Sequence, residues 1–226
     1  MNTIKNTPGK EPSELFKMKN RPVQPLIRRG NILIPDISGF TQFVRKTDLA
    51  TGNVITQRLL SSLMESNQLD LQLSEVEGDA LLLYKFGRKL TADEILQQYE
   101  EMLLNFETEI ALISEQYGIY LDLSLKLIAH YGIISEYNIC NFKKLYGQPV
   151  IEAHALLKNS VDSDTYVLLT NELLDPATVE EVDSDRGTFS GTKDCEIYGD
   201  ARELCYQVFD YEDNCPRMKV FEVSLN

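Results

Sequence analysis

Basic residues are in short supply in this chain: 22 Lys and Arg face 35 Asp and Glu, leaving a net charge of -13. That balance excludes a nucleic acid or an anionic membrane held by general electrostatics, so any anionic ligand must be received locally. Long apolar runs are missing as well. The stretch from Ala80 to Tyr84 falls far below the ~20 residues a membrane span needs, and the N-terminal residues lack the apolar core of a signal peptide. A cytoplasmic protein with neither nucleic-acid nor membrane partners is expected. The four cysteines, Cys140, Cys195, Cys205 and Cys215, include no CxxC pair, which argues against a zinc site or a disulfide framework and predicts reduced thiols. There is no P-loop, no kinase signature, no internal repeat and no low-complexity tract.

What is present suits one good-sized core with extensions, since domains run roughly 100–200 residues. Residues 1–24 are rich in Lys, Asn and Pro and poor in large apolar side chains, and are expected to be a flexible arm. Residues 25–175 form the expected core, and 176–226 an extension of the same domain.

Within the core, Leu26 to Asp36 reads as a first strand, after which the chain is expected to turn at once. Ser38-Gly39-Phe40-Thr41 can start a helix carrying Phe43 and Val44 inward, and Ile55, Leu59 and Leu63 follow at helical spacing in a second helix. Glu77-Gly78-Asp79 has the chemistry of a tight turn between two short apolar strands. Thr91 and Glu94 form a capping box ahead of Ile95, Tyr99, Met102, Leu103, Phe106, Ile110 and Ile113, with Gly118 as the stop. Leu121, Leu123, Leu125 and Leu127 alternate with polar residues, predicting a half-buried strand up to His130, and a further strand is expected over Ile133–Leu145. Val150, Ala153, His154 and Leu157 fit a helix after Gly147, and Thr165–Thr170 a strand. Beyond Val179 the signals weaken, with strands expected over Glu203–Tyr211 and Lys219–Val223. This order predicts an α+β fold: helices on one face of a mainly antiparallel sheet.

Two segments carry the functional signal. Asn31-Ile32-Leu33-Ile34-Pro35-Asp36 and Glu75-Val76-Glu77-Gly78-Asp79-Ala80 each place an aspartate at the end or bend of an apolar strand, and both aspartates fall at the same end of neighbouring strands. Two such carboxylates repel unless a cation lies between them, which points to Mg2+ or Mn2+ serving a phosphate ligand. Taken singly, Asp36 could equally cap the following helix, and Asp79 could equally make a turn.

Asp36-Ile37-Ser38-Gly39-Phe40-Thr41 resembles the first metal motif of class III nucleotidyl cyclases, and Glu75-Val76-Glu77-Gly78-Asp79 their second. Ile128-Ala129-His130-Tyr131-Gly132 is similar to a later strand of that family, and Tyr146-Gly147-Gln148-Pro149-Val150 to the turn into the helix bearing its transition-state residues. Ile151-Glu152-Ala153-His154 and Leu156-Leu157-Lys158-Asn159 are nearer to an uncharacterised bacterial branch of cyclase-like domains. The resemblance implies a ferredoxin-like core and a head-to-tail homodimer. It implies Mg2+ or Mn2+ held by Asp36, Asp79 and the Ile37 carbonyl, and a nucleoside triphosphate whose phosphates meet the amides of Gly39, Phe40 and Thr41.

Two departures stand out. The family's transition-state asparagine and arginine fall on Ile151 and Ala155, leaving both roles vacant; Lys158, His154, Lys126 and Lys143 are the candidate stand-ins, each of which could also be an ordinary surface or packing residue. The base-reading positions carry Glu75 and Lys144, reversing the polarity usual in adenylyl cyclases. A carboxylate there accepts from guanine, so GTP is the first expectation and a pyrimidine nucleotide the second; alternatively the two residues simply pair across adjoining strands. His130 is assigned to strand packing. The functions expected are a cyclase of weak or altered activity binding a metal–NTP, or a catalytically degenerate binding or scaffold module.

Overall fold

The structure, a computed structural model, describes residues 25–140, 142–174, 192–197 and 203–211. The expected arm over 1–24, the strand expected over Lys219–Val223 and Cys215 lie outside these residues. The chain runs β1 (Leu26–Ser38), α1 (Phe40–Lys46), α2 (Leu49–Glu65), β2 (Gln72–Glu77), β3 (Ala80–Phe86), α3 (Ala92–Tyr117), β4 (Ser124–Ile139), β5 (Phe142–Tyr146), α4 (Gln148–Leu156), β6 (Tyr166–Thr170), β7 (Thr192–Ile197) and β8 (Glu203–Asp210). The strands form one sheet in the order β2-β3-β1-β4-β6-β8-β7, with β5 added to β4. Every pairing is antiparallel except that of β4 with β6.

Period-two alternation divides the sheet into two buried faces. Leu33, Leu81, Leu83, Leu125, Leu127 and Leu169 meet Ile55, Leu59, Leu63, Tyr99, Met102 and Phe106 of α2 and α3. Ile32, Ile34, Leu82, Ile128 and Leu168 meet Ala153 and Leu156 of α4 on the opposite face. Each fully buried Leu or Ile contributes about 1.5–3 kcal/mol relative to exposure, so both layers matter. The α+β expectation holds, but the single helical face does not: α4 lies across from the other helices because Gly132 admits it. A Cβ there would stand 2.3 Å from Pro149 Cγ in the first turn of α4.

Several local expectations are refined. The capping box of Thr91 and Glu94 opens α3, and Gly118 closes it. Phe43 turns inward to the core, whereas the next residue on α1, Val44, is exposed. The strand β1 runs on past Asp36 to Ser38, because β4 continues to pair with it there. The strands expected up to His130 and over Ile133–Leu145 are one long strand, β4, followed by the short return strand β5; the left-handed Cys140 makes the reversal.

The thiol expectation is overturned for one pair: Cys195 and Cys205 form a disulfide, and Cys140 is free and exposed. The physical reason is register. β7, which the sequence left unassigned, pairs with β8 so that Cys195 faces Cys205 directly, with their Cα atoms 4.0 Å apart. Among the described residues, no helix is long and apolar enough to cross a membrane.

Candidate functional site

Asp36 is delivered by β1, whose neighbours at that level are Ala80 of β3 and Lys126 of β4. Asp79 ends the β2–β3 turn and is tied to the same strand end by its carbonyl, which accepts from Ile37 N–H at 3.2 Å. The two aspartates expected to act together are therefore brought together. Burial, and then the charge of Asp36, push the Asp79 carboxyl above its ordinary range, with Lys126 pulling the other way. Lys126 Nζ lies 3.0 Å from Asp36 Oδ2, both side chains being mostly buried. Burial would lower the Lys126 ammonium, but the charge and hydrogen bond of Asp36, with help from Tyr166 and Asp79, hold it above its usual value. Tyr166 on β6 is buried, and its hydroxyl accepts from Asn159 Nδ2 at 2.6 Å.

Gly39 joins β1 to α1. Its φ of 82° lies in the left-handed region, and a Cβ would stand 2.4 Å from the Asp122 carbonyl oxygen, so only glycine turns the chain here. The Gly39 carbonyl accepts from Gln42 and Phe43, which places the amides of Phe40 and Thr41 ahead of the first intrahelical bond.

The base-reading candidates also meet. Lys144 Nζ is 2.7 Å from Glu75 Oε2, joining β5 to β2. Nearby, Lys143 pairs with Glu136 at 3.4 Å, and burial together with Glu136 pushes the Tyr84 phenol up to about 12.

The proposed stand-ins fare differently. His154 on α4 lies 3.5 Å from Glu77 in the hairpin that carries Asp79. Lys158 is exposed just beyond α4. Ile151 is 66 % exposed, and Ala155, half-buried, has only a methyl group, so the helix face bearing these positions has no side-chain donor at either. His130 is fully buried: Nε2 lies 3.0 Å from Glu152 Oε2 and Nδ1 2.8 Å from Thr170 Oγ1, and Gln148 donates to Glu152 at 3.4 Å. A cleft of about 660 Å³ lies beside this network, lined by Arg29, Lys89 and Glu172 among others, toward the opposite end of β1 from Asp36.

The donor set suits a hard divalent cation: Asp36 and Asp79 supply carboxylate oxygens at one strand end. Among the described residues no cluster of three or more His, Cys, Asp or Glu could hold a metal, so remaining ligands would be main-chain, water or phosphate oxygens. Sequence reasoning placed Lys126 among replacements for arginine and missed it as the partner of Asp36. Tyr166 and Asn159 were missed, although Asn159 ends one of the motif segments, because only the packing of β6 beside β4 brings their hydrogen-bonded pair to this site.

Residues 56–166 match a family described as protein of unknown function (DUF2652). A search of curated proteins finds no match. Among solved structures the chain is similar to the guanylyl cyclase Cya2, at 12 % identity and a TM-score of 0.62, over 84 % of this chain and 95 % of that one. It is similar to the adenylyl cyclase CyaB from P. aeruginosa, at 14 % identity and a TM-score of 0.58, over 85 % and 100 %. A class III adenylyl cyclase-like ATP-binding protein from Pseudomonas aeruginosa matches at 14 % identity and a TM-score of 0.55, over 67 % of this chain and 35 % of that one. At these identities the likeness establishes the fold, that of class III nucleotidyl cyclase domains.

Proposed function

We propose that this chain, whose fold is that of class III cyclase domains, binds a nucleoside triphosphate with Mg2+ or Mn2+ and forms its 3′,5′-cyclic product weakly or by an altered route. The observation that carries the reading is the convergence of Asp36 and Asp79 at one strand end. When bound, the divalent ion would draw charge from the triphosphate and lower the cost of ionising the ribose hydroxyl. Asp36 and Asp79 hold it, with the Ile37 carbonyl as a further ligand. The Gly39, Phe40 and Thr41 amides face the phosphates. Glu75 accepts from a guanine edge while Lys144 donates to O6, with a pyrimidine as second choice.

Ile151 and Ala155 offer no donor to the charge that develops on the transferring phosphorus, where an arginine can be worth about 10³–10⁵ in rate. This favours the second reading, a noncatalytic nucleotide-binding module; a protein of similar fold from Pseudomonas aeruginosa is described as a class III adenylyl cyclase-like ATP-binding protein. A homodimer fits either reading, supported by exposed Phe142 and Tyr146 on β5 and Ile151 on α4.

The test is mass-spectrometric detection of cyclic nucleotide after incubation with each of the four NTPs and Mn2+, beside an Asp36→Asn, Asp79→Asn variant, with equilibrium nucleotide binding measured in parallel. Product that vanishes in the variant is the expected result. Binding without product selects the module reading, and neither binding nor product overturns both.

A further inference from the structure

Lys126 is placed where an added cation would otherwise go. The β1–β4 register sets it directly opposite Asp36, and its ammonium lies 3.0 Å from Oδ2 with the two side chains only 19 % and 15 % exposed. The lysine stem rises from the sheet face that also carries buried Ile128 and Tyr166, so the ammonium is brought to the Asp36 carboxylate by a rigid strand rather than by a loop. A tethered monovalent cation is always at hand and needs no metal from solution. Two carboxylates and one ammonium leave a single net negative charge, and a divalent ion approaching Asp36 must share or displace a positive charge already bonded there.

We propose that Lys126 is a built-in counter-ion of the Asp36–Asp79 pair, which holds the pair together without metal and keeps a free divalent ion from binding tightly until a nucleotide arrives. The phosphates of that nucleotide give the displaced ammonium a new anionic partner, so metal and nucleotide enter together. This rests on the reading of Asp36 and Asp79 as metal ligands, and it assigns to Lys126 a positioning role.

The experiment is Mn2+ binding to the full chain, followed by electron paramagnetic resonance, with and without GTP, for wild type, Lys126→Gln, Lys126→Met and Lys126→Gln combined with Asp36→Asn. Circular dichroism checks that each form is folded, and two Lys126 variants guard against one failing to fold. Wild type is expected to bind Mn2+ weakly alone and more tightly with GTP. Lys126→Gln or Lys126→Met is expected to bind Mn2+ alone about tenfold or more tightly than wild type, and to lose that gain when Asp36 is also changed. GTP-dependent Mn2+ binding in wild type with no gain in either Lys126 variant overturns the counter-ion role and leaves the proposed function standing. A gain in the Lys126 variants without any GTP binding supports the counter-ion role, overturns its release by GTP and leaves the pyrimidine choice alone for the proposed function. Absence of Mn2+ binding in every form, with or without GTP, overturns both.

Discussion

Lys144 Nζ lies 2.7 Å from Glu75 Oε2 although β2 and β5 share no hydrogen-bonded register: β3, β1 and β4 lie between them in the sheet order. The tertiary fold nevertheless brings the β2–β3 hairpin and the β4–β5 arm together. The pair is partly buried, its side chains 31 % and 23 % exposed. Exchanging the charges, Glu75→Lys with Lys144→Glu, is expected to leave the melting temperature almost unchanged while moving nucleotide preference from guanine toward adenine. Competition of ATP and GTP against a fluorescent nucleotide reads this, and an identical preference in both proteins would remove the base-reading role.

Restoring the vacant groups should restore rate. Ile151→Asn with Ala155→Arg is expected to raise cyclic-nucleotide formation by about 10³-fold, the lower end of what a transition-state arginine supplies. Product counted by mass spectrometry decides it. No change would mean that α4 does not face a substrate.

Two glycines are held by space. Gly39→Ala combines a left-handed φ with a Cβ 2.4 Å from the Asp122 carbonyl oxygen, and Gly132→Ala drives a Cβ to 2.3 Å from Pro149. Each should cost about 2–4 kcal/mol in urea denaturation, as forced overpacking and backbone strain do. A cost under about 1 kcal/mol at both positions would contradict the described packing.

His130 and Glu152 are buried together. Glu152→Ala strands the imidazole without its acceptor and should lower stability by about 3 kcal/mol. Glu152→Gln, which keeps an acceptor oxygen, should cost less. Equal losses in the two variants would show that the Glu152 charge, which both variants remove, is at stake rather than its bulk or an acceptor oxygen.

The Asp79 and Glu94 carboxyls should give opposite pH responses. Burial and Asp36 raise Asp79, so its folded state holds a proton longer than the unfolded chain. Its contribution is present at acid pH and is lost as pH rises through the raised value, and Asp79→Asn should therefore stabilise the metal-free protein at neutral pH. Hydrogen bonds from Arg88 lower Glu94 to about 2 from the ordinary 4.5. Its contribution is complete above the ordinary value and is lost as pH falls toward 2, so Glu94→Gln should flatten stability in that acid window. Thermal melts across pH distinguish the two signs.

Much of the fold was legible because it is written locally. The capping box of Thr91 and Glu94, the run from Ile95 to Ile113 and the stop at Gly118 define α3 from side-chain periodicity and end chemistry alone. The turn at Gly78-Asp79 and the apolar strands around it are local in the same sense. What failed depended on pairing. His130 and Ile133 gave no sign that one strand, β4, would run through both, because its continuity comes from β1 on one edge. Cys195 and Cys205 looked like scattered thiols until β7 found β8.

The candidate site divides along the same line. Asp36 and Asp79 were recognisable in sequence, since a carboxylate at the end of an apolar strand is a local pattern with a chemical meaning. Which cation they face was decided by tertiary structure: the register of β1 on β4 put Lys126 against Asp36. Contact between the β2–β3 hairpin and the β4–β5 arm likewise decided that Glu75 would meet Lys144. The sequence by itself determined the elements and the carboxylates; strand register and contacts between strands remote in the sheet determined their partners, because charges interact through space and their distances are set by residues remote in the chain.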